Sequence, residues 1–121
     1  MVTSVGTETP FAVSNIAAEG FVPFVEDGHE LGLVHWLREE DVAKGEVATG
    51  IWRADPDTSA CDFEYIFSAN ETFHVLEGSV LIELVDGETL EVGPGDIAAF
   101  RKGTVSHWKV QAPFKKFFVI S

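Results

Sequence analysis

A chain of 121 residues with 20 acidic and 8 basic side chains, net charge −12, is sized for one domain and can bury a core without cross-links. Its one cysteine, Cys61, excludes an internal disulfide and suits a reducing compartment, while the acidity argues against the basic face that nucleic acids and anionic membranes require. Without a basic leader or an 18-residue apolar run, the expectation is a soluble, cytoplasmic protein with neither nucleic acid nor membrane as partner.

Residues 1–20, rich in Thr, Ser, Ala and Gly, read as a loose arm or edge strand. Residues 31–37 are apolar and aromatic enough for a strand. Glu39 to Gly45 reads as one helical turn closed by glycine. From residue 46 onward short strands dominate, which divides the chain into an N-terminal arm with edge strands, 1–45, and a barrel core, 46–121. Residues 47–54 run to the turn Asp55-Pro56-Asp57, and 62–67 to the turn at 68–70. Residues 72–76 precede Gly78. Val80, Ile82 and Leu84 alternate with their neighbours, as in a half-buried strand. Asp86-Gly87 is a strong hairpin signal, followed by alternation at Leu90 and Val92. Residues 97–100, 105–110 and 117–120 complete the strands. Arg101, Lys102, Lys109, Lys115 and Lys116 form a small basic cluster, read as solvated strand edges that discourage unwanted pairing.

Strands every 8–12 residues with turn signals between them point to an all-β antiparallel sandwich or barrel. An immunoglobulin-like sandwich would need its Cys–Trp–Cys arrangement, and an oligonucleotide-binding barrel would suit a different charge. A jelly roll remains.

Across residues 49–119 the chain carries Gly50-Ile-Trp52, Pro56, Phe63-Glu-Tyr65, Glu71 with Val75-Leu-Glu-Gly78, Pro94-Gly-Asp96, and Lys102-Gly103 with Trp108. In that order these pieces resemble the cupins, and more narrowly the small cupins related to ureidoglycine aminohydrolase and the ethanolamine-utilisation Q proteins. The resemblance implies a double-stranded β-helix with a pocket inside the barrel.

Metal-binding cupins hold a divalent ion with three histidines and one glutamate. By the spacing to Gly78, Glu71 takes the glutamate position. Tyr65 and Phe67, or with a longer spacer Glu64 and Ile66, take the places of the His-x-His pair. Ser106 takes the third histidine position, and His107 falls one residue late, which puts it on the opposite face of a regular strand. The resemblance therefore implies no complete metal site and no cofactor. The alternative is a divalent transition metal held by Glu71, His107 and Glu64.

In the cupin register Glu71 and Tyr65 are the candidate catalytic pair. A carboxylate among rings loses solvation, which is one way an acid–base group arises. Phe67, Phe73, Phe100, Ser106, Trp108 and Trp52 are the candidate ligand-binding residues, giving an apolar pocket for a small organic molecule. His74 points away from Glu71, and its spacing with His29, His35 and His107 makes no zinc signature. Val34, Trp36 and Leu37 offer a strand that covers a sheet edge and pairs two copies into a homodimer. Three functions fit: a metal-free small-molecule binder, a small-metabolite enzyme of lyase, isomerase, decarboxylase or aminohydrolase type, and an accessory subunit of a pathway complex.

Overall fold

The computed structural model describes residues 12–26, 28–42, 45–57 and 61–121. Among the described residues ten antiparallel strands form two sheets: β1 (Val22–Glu26), β2 (His29–Val42), β3 (Gly45–Ala54), β4 (Asp62–Ile66), β5 (Glu71–Glu77), β6 (Val80–Leu84), β7 (Thr89–Val92), β8 (Ile97–Phe100), β9 (Val105–Val110) and β10 (Phe114–Ile120). One sheet runs β1-β2-β3-β10-β5-β8 and the other β4-β9-β6-β7. Neighbours in each sheet are mostly distant in sequence, as in a jelly roll.

Alternation decides which faces meet. Along β5, Glu71, Phe73 and Val75 are buried while Thr72 and His74 are exposed. Along β9, Ser106, Trp108 and Val110 are buried. With Val80 and Ile82 of β6, these residues close one core between the sheets. The corners depend on glycine where φ is positive. Gly87, at φ 95°, donates to the Leu84 carbonyl and closes the β6–β7 hairpin. Gly78, at φ 76°, turns β5 into β6 against the Pro113 carbonyl, which leaves no room for a Cβ.

Three sequence readings change. The helical turn expected from Glu39 to Gly45 is extended: Glu39 pairs with Ala48, and the register continues to Val42 opposite Gly45. Residues 43 and 44 lie outside the described residues. A lone helical turn nucleates poorly, whereas the long β2–β3 ladder gives each of these peptides a partner. The segment around Trp36 is an inner strand, because β1 lies outside it. Finally, β10 begins at Phe114 rather than 117, which brings both Lys115 and Lys116 into the ladder.

Candidate functional site

Strand β10 reads Phe-Lys-Lys-Phe-Phe-Val-Ile, and either parity turns one of the two lysines inward. Pairing settles which. Phe114 meets Ala54 and Lys116 meets Trp52 on β3, and a bulge between Lys115 and Lys116 sets Lys116 against Val75 on β5. Phe114, Lys116 and Phe118 therefore share the core face. Lys116 is not at a solvated edge, as its charge suggested, but only 6% exposed. Lys115 stays on the outside, near Glu77 and the Ile16 carbonyl.

Inside, the Lys116 ammonium donates to Glu71 Oε2 at 2.5 Å. The two side chains are 7% and 4% exposed. Aromatic rings enclose the ammonium: its Nζ lies 4.3 Å from the Phe73 centroid, 4.8 Å from Trp108, 5.3 Å from Trp52 and 5.8 Å from Phe118. These distances suit cation–π attraction. Burial holds the Lys116 pKa below its ordinary value, opposed by the charge of Glu71 and its hydrogen bond. The sequence offered one signal for this site: with Phe114 and Phe118 taken as core, position 116 must point inward too.

The pair forms part of the wall of a pocket also lined by Phe24, Leu31, Trp52, Phe63, Tyr65, Trp108, Phe118 and Ile120. Its empty space is about 420 Å³ with the mouth included, of which about 30 Å³ admits a water-sized molecule. That inner part holds roughly two waters, so an occupant is small or must displace a ring. Leu31, Phe63 and Tyr65 also border an adjoining groove, in which about 640 Å³ admits a water-sized molecule and Glu26, Glu30 and Glu64 make the rim acidic.

The remaining candidate residues fall into two groups. Phe67, Phe73, Phe100 and Ser106 lie behind the pocket lining. Phe67 stacks on Phe100 at 4.7 Å, and Phe73 on Phe100 at 5.9 Å. Ser106 Oγ donates to the Tyr65 carbonyl at 2.8 Å and accepts from Trp108 Nε1 at 3.0 Å. The position a third histidine would take thus fixes the tryptophan instead. Trp52 Nε1 donates to the Leu31 carbonyl at 2.7 Å.

Glu64 and His107 are turned away from Glu71. The β4–β9 register pairs them as neighbours without a bulge, so Phe63, Tyr65, Ser106 and Trp108 point in while Glu64 and His107 point out. His107 bonds Asp62 there. The three carboxylate and imidazole groups considered for a metal are therefore not brought together. The chemistry around Glu71 does not fit a transition metal either: its oxygen faces an ammonium, and the rings of Phe73 and Trp108, not donor atoms, surround that ammonium. Among the described residues no cluster of three or more His, Cys, Asp or Glu is placed to hold a metal ion. His74 is exposed on the outer face, and His35 bonds Ser14 and the Gly20 carbonyl.

The sequence model of the EutQ-like cupin domain matches residues 42–118, more than half of the chain. The chain belongs to the EutQ-like cupin family. This cupin is similar in structure to a DUF861 family protein from Thermotoga maritima, with 31% identity, TM-score 0.54, and 59% of this chain and 76% of that one covered. It is similar to the Clostridium difficile EutQ protein at 15% identity and TM-score 0.58, covering 79% and 73% of the two chains. The iron(II) form of HppE superposes over 94% of this cupin and 62% of its own chain, at 12% identity and TM-score 0.67. The last two likenesses are of fold alone. No curated protein matches the chain. Among the described residues no helix is long and apolar enough to cross a membrane.

Proposed function

We propose that this cupin binds a small neutral or cationic organic molecule in the aromatic pocket at Glu71 and Lys116, without a transition metal. The observation that carries the reading is the buried ion pair: the Lys116 ammonium lies against Glu71, the residue at the glutamate position of the family pattern. Trp52 and Trp108 supply apolar surface, Glu71 and Lys116 supply polarity at the base, and Tyr65 sits between pocket and groove. The acidic groove rim disfavours anions. An enzymatic reading in which Glu71 and Tyr65 act on a small metabolite is favoured by one observation, that both border the same pocket. A homodimer covering the exposed Val22 and Val25 of edge strand β1, in the cytoplasm, completes the proposal.

Protein NMR tests the site. Short-chain alcohols, amines and carboxylates are titrated while the Trp52 and Trp108 indole signals are followed. Saturable shifts with 1-propanol or propylamine are expected, and none with propionate. A panel that moves only surface signals refutes the pocket. For the metal, chelator is expected to leave the melting temperature unchanged, because a metal bound to the native state would stabilise it by mass action. A drop reversed by manganese, iron, nickel or zinc refutes the metal-free reading.

A further inference from the structure

The pair at the pocket base joins an amine and a carboxylate in a narrow aromatic space, and this combination has a chemistry beyond binding. We propose that Lys116 is an imine-forming amine for a short-chain neutral aldehyde or ketone, with Glu71 carrying the protons. The proposal rests on the binding reading above, since the carbonyl compound must occupy the same pocket.

A lysine becomes a nucleophile when its lone pair is free, and desolvation in an apolar pocket is one way to free it. Lys116 is desolvated, and its low proton affinity agrees with that. The proton has somewhere to go. Transfer along the Lys116–Glu71 hydrogen bond neutralises both groups at once and leaves no charge among the rings. The free amine then adds to the carbonyl carbon, forming the C–N bond and converting C=O to an alkoxide. Glu71 relays the ammonium proton from nitrogen to that oxygen, giving a neutral carbinolamine. The carboxylic proton held since the first transfer then goes to the hydroxyl, which leaves as water as the nitrogen lone pair forms C=N. The products are a protonated imine, the Glu71 carboxylate and one water. No oxidant or reductant is consumed.

The end state has the charges of the resting pair: one cation on Lys116 nitrogen and one anion on Glu71. Phe73, Trp108 and Trp52 still surround that nitrogen. The rings packed around that nitrogen limit the approach of water and so hydrolysis of the imine. The narrow pocket limits chain length, and Glu26, Glu30 and Glu64 in the groove disfavour carbonyl compounds that carry a carboxylate.

The test is reductive trapping on the full chain. Protein is incubated near neutral pH with propanal and sodium cyanoborohydride, and the modified lysine is mapped by peptide mass spectrometry. Exposed amines such as Lys102 and Lys109 lie outside the pocket and serve as the internal comparison. A propyl group on Lys116 ahead of those lysines is expected, with slower marking in Glu71→Gln and loss of the mark in Lys116→Arg. The mapping in the unsubstituted protein needs no variant to fold. A mark confined to exposed lysines overturns the proposal, and glyoxylate trapped on Lys116 as fast as propanal overturns the neutral-carbonyl class. In the first case, indole shifts with 1-propanol leave the binding reading intact, whereas their absence removes both.

Discussion

Two side-chain pairs, each setting a nitrogen against a carboxylate, differ in almost everything: one faces into the barrel and the other faces out of it. Lys116 and Glu71 face inward from β10 and β5 with side chains 7% and 4% exposed. His107 and Asp62 face outward from β9 and β4 with side chains 38% and 58% exposed. Water already solvates the outer pair, so its contact adds little. The inner pair has given up its hydration, and each partner is the main compensation for the other. A buried charge held between one carboxylate and a ring of aromatic faces is committed to one geometry, which is why the inner pair is the better candidate for chemistry.

The sharpest way to break this contrast is to remove one inner partner. Lys116→Met or Glu71→Gln alone is expected to cost about 3–5 kcal/mol, because an uncompensated polar group stays buried. The double variant Glu71→Leu/Lys116→Met should cost much less than the sum of the two single changes. Urea denaturation of all four proteins gives the coupling. Single losses below about 1 kcal/mol would place the inner pair in the outer pair's class.

The same inner–outer contrast extends to backbone corners. Gly87 at the outer hairpin has nothing within 4 Å of a built Cβ, so Gly87→Ala pays only for its φ, about 1–2 kcal/mol. Gly78→Ala would set its Cβ 2.1 Å from the Pro113 carbonyl oxygen and should cost more than Gly87→Ala in the same denaturation assay. Equal costs would mean that the inner corner can relax.

Alkaline pH sharpens the comparison further. The unfolded chain keeps its Lys116 proton up to about 10.5, and the folded protein releases it at lower pH, chiefly through burial. Between those values the unfolded state binds more protons, so this lysine makes the free energy of unfolding rise with pH. The gain should be missing in Lys116→Met, measured as the difference between the two proteins' stability curves. Parallel curves would show a lysine in contact with water. The smallest effect is expected outside: Asp62→Asn should change stability by no more than about 1 kcal/mol, and added salt should shrink it.

Much of the barrel was legible in sequence because its signals are local. Val80, Ile82 and Leu84 announce a strand by alternation, and the hairpin at Gly87 by a residue type that tolerates positive φ. The inward face of Glu71 followed from its spacing to Gly78 within the family pattern. The N-terminal strands were harder to read. Glu39 to Gly45 suggested a helical turn, and pairing with β3 keeps residues 39–42 extended. Lys116 was least legible, because a lysine beside another lysine reads as solvent-exposed and the run after it does not alternate cleanly.

The sequence by itself determined the strand-and-turn order from β3 onward, the apolar inner faces of β5, β6 and β9, and the EutQ-like cupin pattern, because each depends on residues close along the chain. Only the tertiary structure decided that Lys116 and Glu71, 45 positions apart, share one hydrogen bond, and that Glu64 and His107 turn away from them. The reason is register. A ladder between distant strands sets which face each side chain takes, and one residue of shift or one bulge exchanges core for solvent.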